Sequence, residues 1–195
     1  MVDWLQHLDT GAFLWVNHSL RNPVFDLLMP FLTDLNRNRI ALVIAAAVLL
    51  WMIVRGGRAS RLAALLLIPT LALSDQLSSS VIKFLVERPR PCHVLGDVRL
   101  LVDCGGGLSF PSSHAVNHFA AALVLAYFLP RGRWWLFGYA SVIAFSRVYV
   151  GVHYPLDVLG GAVIGLACAS VVLALYQSAE HWWYRRQMRR VGGGA

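Results

Sequence analysis

An all-α fold is what this sequence predicts: a polytopic transmembrane helix bundle of five to six spans with an N-terminal interfacial amphipathic helix. Three observations carry that expectation. Hydrophobic residues make up 57% of the chain and charged ones only 14%, against roughly 45–50% and about 25% in soluble domains. The apolar residues come in blocks close to the length of about 20 residues that a bilayer demands of a helix. The remaining polar residues gather in a few clusters between those blocks. Such hydrophobicity excludes a disordered chain, and three cysteines argue against a secreted disulfide scaffold.

In chain order, Trp4–Leu35 mixes apolar and polar residues at helical spacing and contains Pro23 and Pro30. It reads as one or two interfacial amphipathic helices, with a sixth, partial span as the alternative. No short apolar region with a small-residue cleavage site precedes it, so a removable signal peptide is not expected. Ile40–Val54 is a short first span, extended through Asn36–Arg39 or accommodated by tilt. Leu62–Ile82 is the second, and residues 84–110 form a long loop. Ala115–Leu129 and Trp134–Val150 follow, flanked by Tyr127, Phe128, Trp134 and Trp135 as expected at a membrane interface. Leu156–Gln177 is the last, and its Gly160, Gly161 and Gly165, with Ala162 and Ala169, make a close-packing face. Residues 1–190 read as one membrane-embedded domain and 191–195 as a disordered tail.

The net charge of +7 would suit a nucleic-acid binder, but its distribution points elsewhere. Alternating spans place Arg55, Arg58, Arg61, Arg131, Arg133, Arg185, Arg186, Arg189 and Arg190 on one side. By the positive-inside rule that side is cytoplasmic. The long loop is then extracytoplasmic, and no nucleic-acid partner is expected. Cys92 and Cys104 share that loop and are either a disulfide or two free thiols. Cys168 reads as a small buried hydrophobe.

Ionisable groups inside such a chain are costly and therefore informative. Three clusters hold them: Lys83 to Arg90-Pro91; Pro111-Ser112-Ser113-His114; and Ser146-Arg147 through His153 to Asp157. Counting spans puts all three at the same membrane face. Lys83, the only lysine, joins Arg90 and Arg147 in a cationic group without matching carboxylates, which suits the oxygens of a phosphate. Ser112 is placed to cap a helix whose first-turn N–H groups add neutral anion donors. Pro155 fits a first helical position, which sets Asp157 to reach back to His153. An acid on one imidazole nitrogen fixes the tautomer and frees the other nitrogen as a nucleophile, leaving His114 as general acid. No set of residues with metal-ligand spacing accompanies them, so neither metal nor cofactor is expected.

These three clusters resemble the signature of the type 2 phosphatidic acid phosphatase superfamily: Lys, six residues, Arg-Pro; Pro-Ser-Gly-His; and Ser-Arg, five residues, His, three residues, Asp. Lys83 and Arg90-Pro91 match the first, and Ser146-Arg147, His153 and Asp157 the third; in the second, Ser113 stands where the pattern has Gly. The resemblance implies a helical bundle and metal-independent hydrolysis. His153 would attack phosphorus, Asp157 support it, His114 protonate the leaving group, and Lys83, Arg90, Ser112, Ser113 and Arg147 hold the phosphoryl oxygens. The organisation is similar to bacterial undecaprenyl pyrophosphate phosphatases, with the site facing the periplasm or cell exterior from the inner membrane. Phosphatidylglycerophosphate, phosphatidic acid and lipid A phosphatases share the motifs, and a non-hydrolytic lipid-phosphate transporter is the alternative of another class. Three further residues carry expectations. Glu87 orients Arg90 or Arg88, His118 contacts the site one turn after His114, and Asp75 bonds structurally to Ser78 or Ser79.

Overall fold

The computed structural model describes residues 2–192, and among them every regular element is helical. Helix α1 (Val2–Leu14) runs into a wider π turn at Trp15–Ser19, and α2 (Pro23–Thr33) follows, capped by Asn22, whose side chain accepts from Phe25 N. Helix α3 (Arg39–Val54) is capped by Asn38. Helix α4 (Arg58–Gln76) continues through a π segment, Leu77–Ile82, into the short α5 (Lys83–Val86), and α6 (Pro91–Val94) lies in the loop beyond. Helices α7 (Ser113–Phe128), α8 (Arg133–Tyr149) and α9 (Pro155–Gly192) complete the bundle. The expected disordered tail is helical through Gly192, and 193–195 lie outside the described residues.

Much of the interior between the helices is small or polar, and much of the exterior is large and apolar. Ala63, Ala64, Ala115, Ala120, Ala140 and Ala169 are buried along with Thr70, Ser74 and Ser78, whereas Ile40 is 72% exposed and Trp51 62% exposed. Water would reverse that arrangement, because exposed apolar surface is unfavourable there. In hydrocarbon the large side chains face lipid, and the bundle gains by bringing backbones close through small residues. The stretches Arg58–Val94 and Pro155–Arg189 are long and apolar enough to cross a membrane.

Close approach is greatest between α7 and α9. A Cβ on Gly165 would fall 2.2 Å from the Val116 carbonyl oxygen, and one on Gly161 2.8 Å from that of Ser112. These glycines therefore set the distance at which the start of α7 meets the start of α9. Ser74 Oγ donates to Asn117 Oδ1 at 2.7 Å and ties α4 to α7 as well. At the far end Arg58 pairs with Glu180 at 2.9 Å, so the Arg55–Arg61 turn and the end of α9 share one side of the bundle. Lys83, His114 and His153 share the other.

The N-terminal region does more than lie along an interface. Phe13 is fully buried against Ala115, Ala144, Val148 and Tyr154. Asn17 donates to the carbonyls of Arg99 and Tyr149, both at 2.9 Å, and accepts from Arg99 N at 2.8 Å. A buried amide meeting three backbone groups pins this segment under the long loop, since leaving those groups unpaired would cost about 1–3 kcal/mol each.

Candidate active site

Three separate chain segments converge because α4, α7, α8 and α9 alternate in direction, returning every second turn to one end. Gly151, with φ at +92°, makes the tight turn between α8 and α9 that a side chain would resist. The His153 N–H then donates to the Arg147 carbonyl at 3.2 Å, locking the two residues of that cluster together.

The result is a cavity of about 290 Å³ lined by Lys83, Arg90, Ser113, His114, Arg147 and His153, with Asp34, Arg37, Asp103, Cys104 and Gly105 at its wall. Arg90 is half-buried and donates to the Cys104 carbonyl oxygen at 2.6 Å. Cys104 is bonded to Cys92, so the cross-link closes the loop that supplies this carbonyl. It also occupies both sulfurs of the Cys92, His93 and Cys104 group, the one set of candidate metal ligands gathered among the described residues. Arg147 is buried and donates to Thr33 Oγ1 at 2.6 Å.

Ser112 stands at the N-cap of α7, as expected, but its hydroxyl makes no cap bond and is buried without a partner among the described residues. Its N–H donates instead to the Asp157 carbonyl at 3.0 Å, joining the start of α7 to α9. Ser113 Oγ lies 3.5 Å from the hydroxyls of both Ser78 and Ser79, on the π segment of α4. The π turn thus sets these two hydroxyls behind Ser113, which lines the cavity.

His153 is 2% exposed, and its Nδ1 lies 3.5 Å from Asp157 Oδ2. That is the outer limit of a hydrogen bond, and Nδ1 has no closer partner among the described residues. Burial pushes the imidazole down to about 4, against the opposing pull of Asp157, so His153 is neutral near pH 7. Asp157 is well held. Its Oδ1 accepts from Arg88 Nη1 at 2.8 Å, and its Oδ2 accepts from Tyr154 N at 2.8 Å and from Ser109 Oγ.

His114 borders a second space. A groove of about 390 Å³ is lined by Leu32, Leu35, Leu42, Ile44, His118 and Tyr139 as well as His114 and Thr33. The ring of His118 lies parallel to that of His114, with centroids 6.4 Å apart, and its Nδ1 is 2.8 Å from the His114 carbonyl oxygen.

One expectation is corrected, and the one for Asp75 holds only through its backbone. Glu87 is exposed in the left-handed conformation that ends α5 and makes no ion pair among the described residues; Arg88 turns to Asp157 and Asp9 instead. The Asp75 carboxylate accepts from Asn117 Nδ2 at 3.1 Å, while Ser78 Oγ donates to the Asp75 backbone carbonyl, the group that helical geometry places within its reach. Arg88, Ser109, Thr33 and Asp9 were not foreseen. For Arg88 the signal was its place beside Arg90 in a proline-spaced run; for Thr33 and Asp9 there was none, since their partners lie far along the chain.

The class that fold and site define is an all-helical bundle whose polar end cavity is chemically suited to a phosphoryl group. The chain belongs to the PAP2 superfamily, whose family model matches residues 62–180. It is 30% identical over 175 residues to the lipid A 4'-phosphatase of Bacteroides thetaiotaomicron, covering 85% of this chain and 75% of that one. It is 31% identical over 152 residues to the undecaprenyl-diphosphatase BcrC of Bacillus subtilis, covering 76% and 73%. The crystal structure of Aquifex aeolicus LpxE superposes with a TM-score of 0.72 at 31% identity, over 86% of this chain and 95% of that one.

Proposed function

We propose that this chain is an integral-membrane phosphatase that removes a phosphoryl group from a lipid phosphate or diphosphate, with undecaprenyl pyrophosphate, giving undecaprenyl phosphate, as the favoured substrate. The observation that carries this reading is the position of His114 between the cationic cavity and the apolar groove. A lipid phosphate needs both, one for its charged head and one for its chain, and the ester or anhydride oxygen between them falls at the histidine. A transporter would need the cations and the groove but no acid–nucleophile pair.

In this mechanism His153 attacks phosphorus through Nε2, the nitrogen turned away from Asp157. The bond from phosphorus to the bridging oxygen breaks as His114 gives that oxygen a proton. Lys83, Arg90, Arg147, Ser113 and the first-turn N–H groups of α7 carry the charge on the remaining phosphoryl oxygens, so no metal is required. Water then attacks the phosphohistidine, with His114 taking its proton, and inorganic phosphate leaves. We place the site on the outer face of a bacterial cytoplasmic membrane, opposite the arginine-rich end, in a bundle of five to six spans.

The test measures phosphate release by the purified chain in detergent from undecaprenyl pyrophosphate, phosphatidic acid, phosphatidylglycerophosphate and lipid A, with and without EDTA. Release from the diphosphate that survives EDTA and is lost in His153→Ala, by at least about a thousandfold, is the expected result. Strict dependence on magnesium, or wild-type release by His153→Ala, overturns the mechanism.

A further inference from the structure

Asp9 lies on α1, outside the segment that the family model matches, yet it is 4% exposed and both of its oxygens are engaged. Its Oδ2 accepts from Arg88 Nη2 at 2.6 Å, and its Oδ1 accepts from Leu156 N at 2.9 Å, in the first turn of α9. The other end of the same guanidinium donates to Asp157 Oδ1 at 2.8 Å, and its face lies 4.0 Å over the Tyr154 ring. Arg88 is thus clamped edge-on by two carboxylates and flat by one aromatic ring.

The charge count gives this clamp a consequence. Asp9, Arg88 and Asp157 together carry one net negative charge beside His153; Arg88 and Asp157 alone would carry none. When His153 attacks phosphorus its imidazole becomes cationic, and a neighbouring negative charge in a low-dielectric site stabilises that form. The other charged or titratable groups facing His153 are Arg147 on α8, His114 on α7, and Lys83 and Arg90 at the end of α4 and the start of the loop, with Asp34, Arg37 and Asp103 at the rim. Most of these are cations, so the carboxylate side is where the positive imidazole finds support.

We propose that Asp9 is a positioning residue for phosphoryl transfer: it shares Arg88 with Asp157, so that Asp157 keeps its negative charge for His153. The inference rests on the phosphatase reading above and makes the first helix part of the active site. The competing possibility is a purely structural cap on α9. Asp9→Asn separates the two, because it keeps an oxygen for Leu156 N and removes both the charge and the oxygen that accepts from Arg88 Nη2.

The experiment uses the full-length chain in detergent, with undecaprenyl pyrophosphate as substrate and orthovanadate, a phosphate mimic, titrated calorimetrically. Asp9→Asn is expected to lower kcat about tenfold to a hundredfold, to leave KM within about twofold, to weaken orthovanadate binding, and to move the acid limb of the pH–rate profile to lower pH. Arg88→Gln leaves both carboxylates uncompensated and is expected to move that limb the opposite way; it also serves if Asp9→Asn does not fold. An unshifted limb and wild-type kcat in the folded variants, even with a lower melting temperature, overturn the proposal in favour of the cap. If the wild-type chain neither releases phosphate nor binds orthovanadate, the phosphatase reading itself fails; if it does both and the variants match it, this inference alone does.

Discussion

Residues 62–180 and residues 2–37 build one cavity in different ways. The first segment, the part the family model matches, contributes the histidines and the cations Lys83, Arg90 and Arg147. The second contributes mainly side chains that grip those groups: Thr33 accepts from Arg147, Asp9 from Arg88, and Asn17 pins the turn after α8 through the Tyr149 carbonyl. The candidate reacting groups thus sit in short motifs at helix ends and turns, while side chains that pair with their neighbours come from a separate covering segment. A buried guanidinium needs such partners, because an unpaired buried charge costs several kcal/mol.

The strongest test of this division lies on the matched side. His114→Ala should lower kcat by about 10²–10⁴ on a lipid substrate with a poor leaving group, and by much less on p-nitrophenyl phosphate, whose leaving group needs no proton. Equal losses on both would remove His114 from the acid role and break the contrast between reacting and supporting residues.

A second test reads the burial of His153. Its imidazole sits near 4 in the folded chain and near 6.5 unfolded, so between those values the unfolded state holds the extra proton and stability rises with pH. The contribution is complete above pH 6.5 and is lost as pH falls toward 4, the loss reaching about 2 kcal/mol by pH 5. Melting temperatures across this range, compared with His153→Asn, should show the acid decline in the wild type and a flatter curve in the variant.

The smallest effect belongs to the covering segment. Thr33→Val removes the acceptor for Arg147 while keeping its shape, and should raise KM about tenfold, near the 1–3 kcal/mol of a lost buried partner, with kcat changed less. A loss as large as that of His114→Ala would place Thr33 among the reacting groups and dissolve the distinction.

Much of the helical bundle was legible in the chain because membrane helices must satisfy their backbone internally, which leaves hydrophobicity and length as direct signals. The expected span Ala115–Leu129 is α7 to within two residues, and Pro155 does open α9. The clusters at Lys83–Arg90, Ser112–His114 and Arg147–Asp157 were legible for the same reason: polar residues in such a chain stand out. Glu87 failed because sequence proximity to Arg88 and Arg90 says nothing about a left-handed turn that sends its side chain outward.

By itself, the sequence determined the helical class, and it singled out the polar clusters that the fold gathers at one end of the bundle, both of which follow from local composition and from counting crossings. Tertiary structure alone decided which acid holds Arg88, which hydroxyl meets Arg147, and that His114 faces a cavity on one side and an apolar groove on the other. Such pairings join residues far apart in the chain and depend on distances of a few ångströms, set here by where Gly161 and Gly165 let α9 approach α7. No periodicity along the chain encodes a distance between helices.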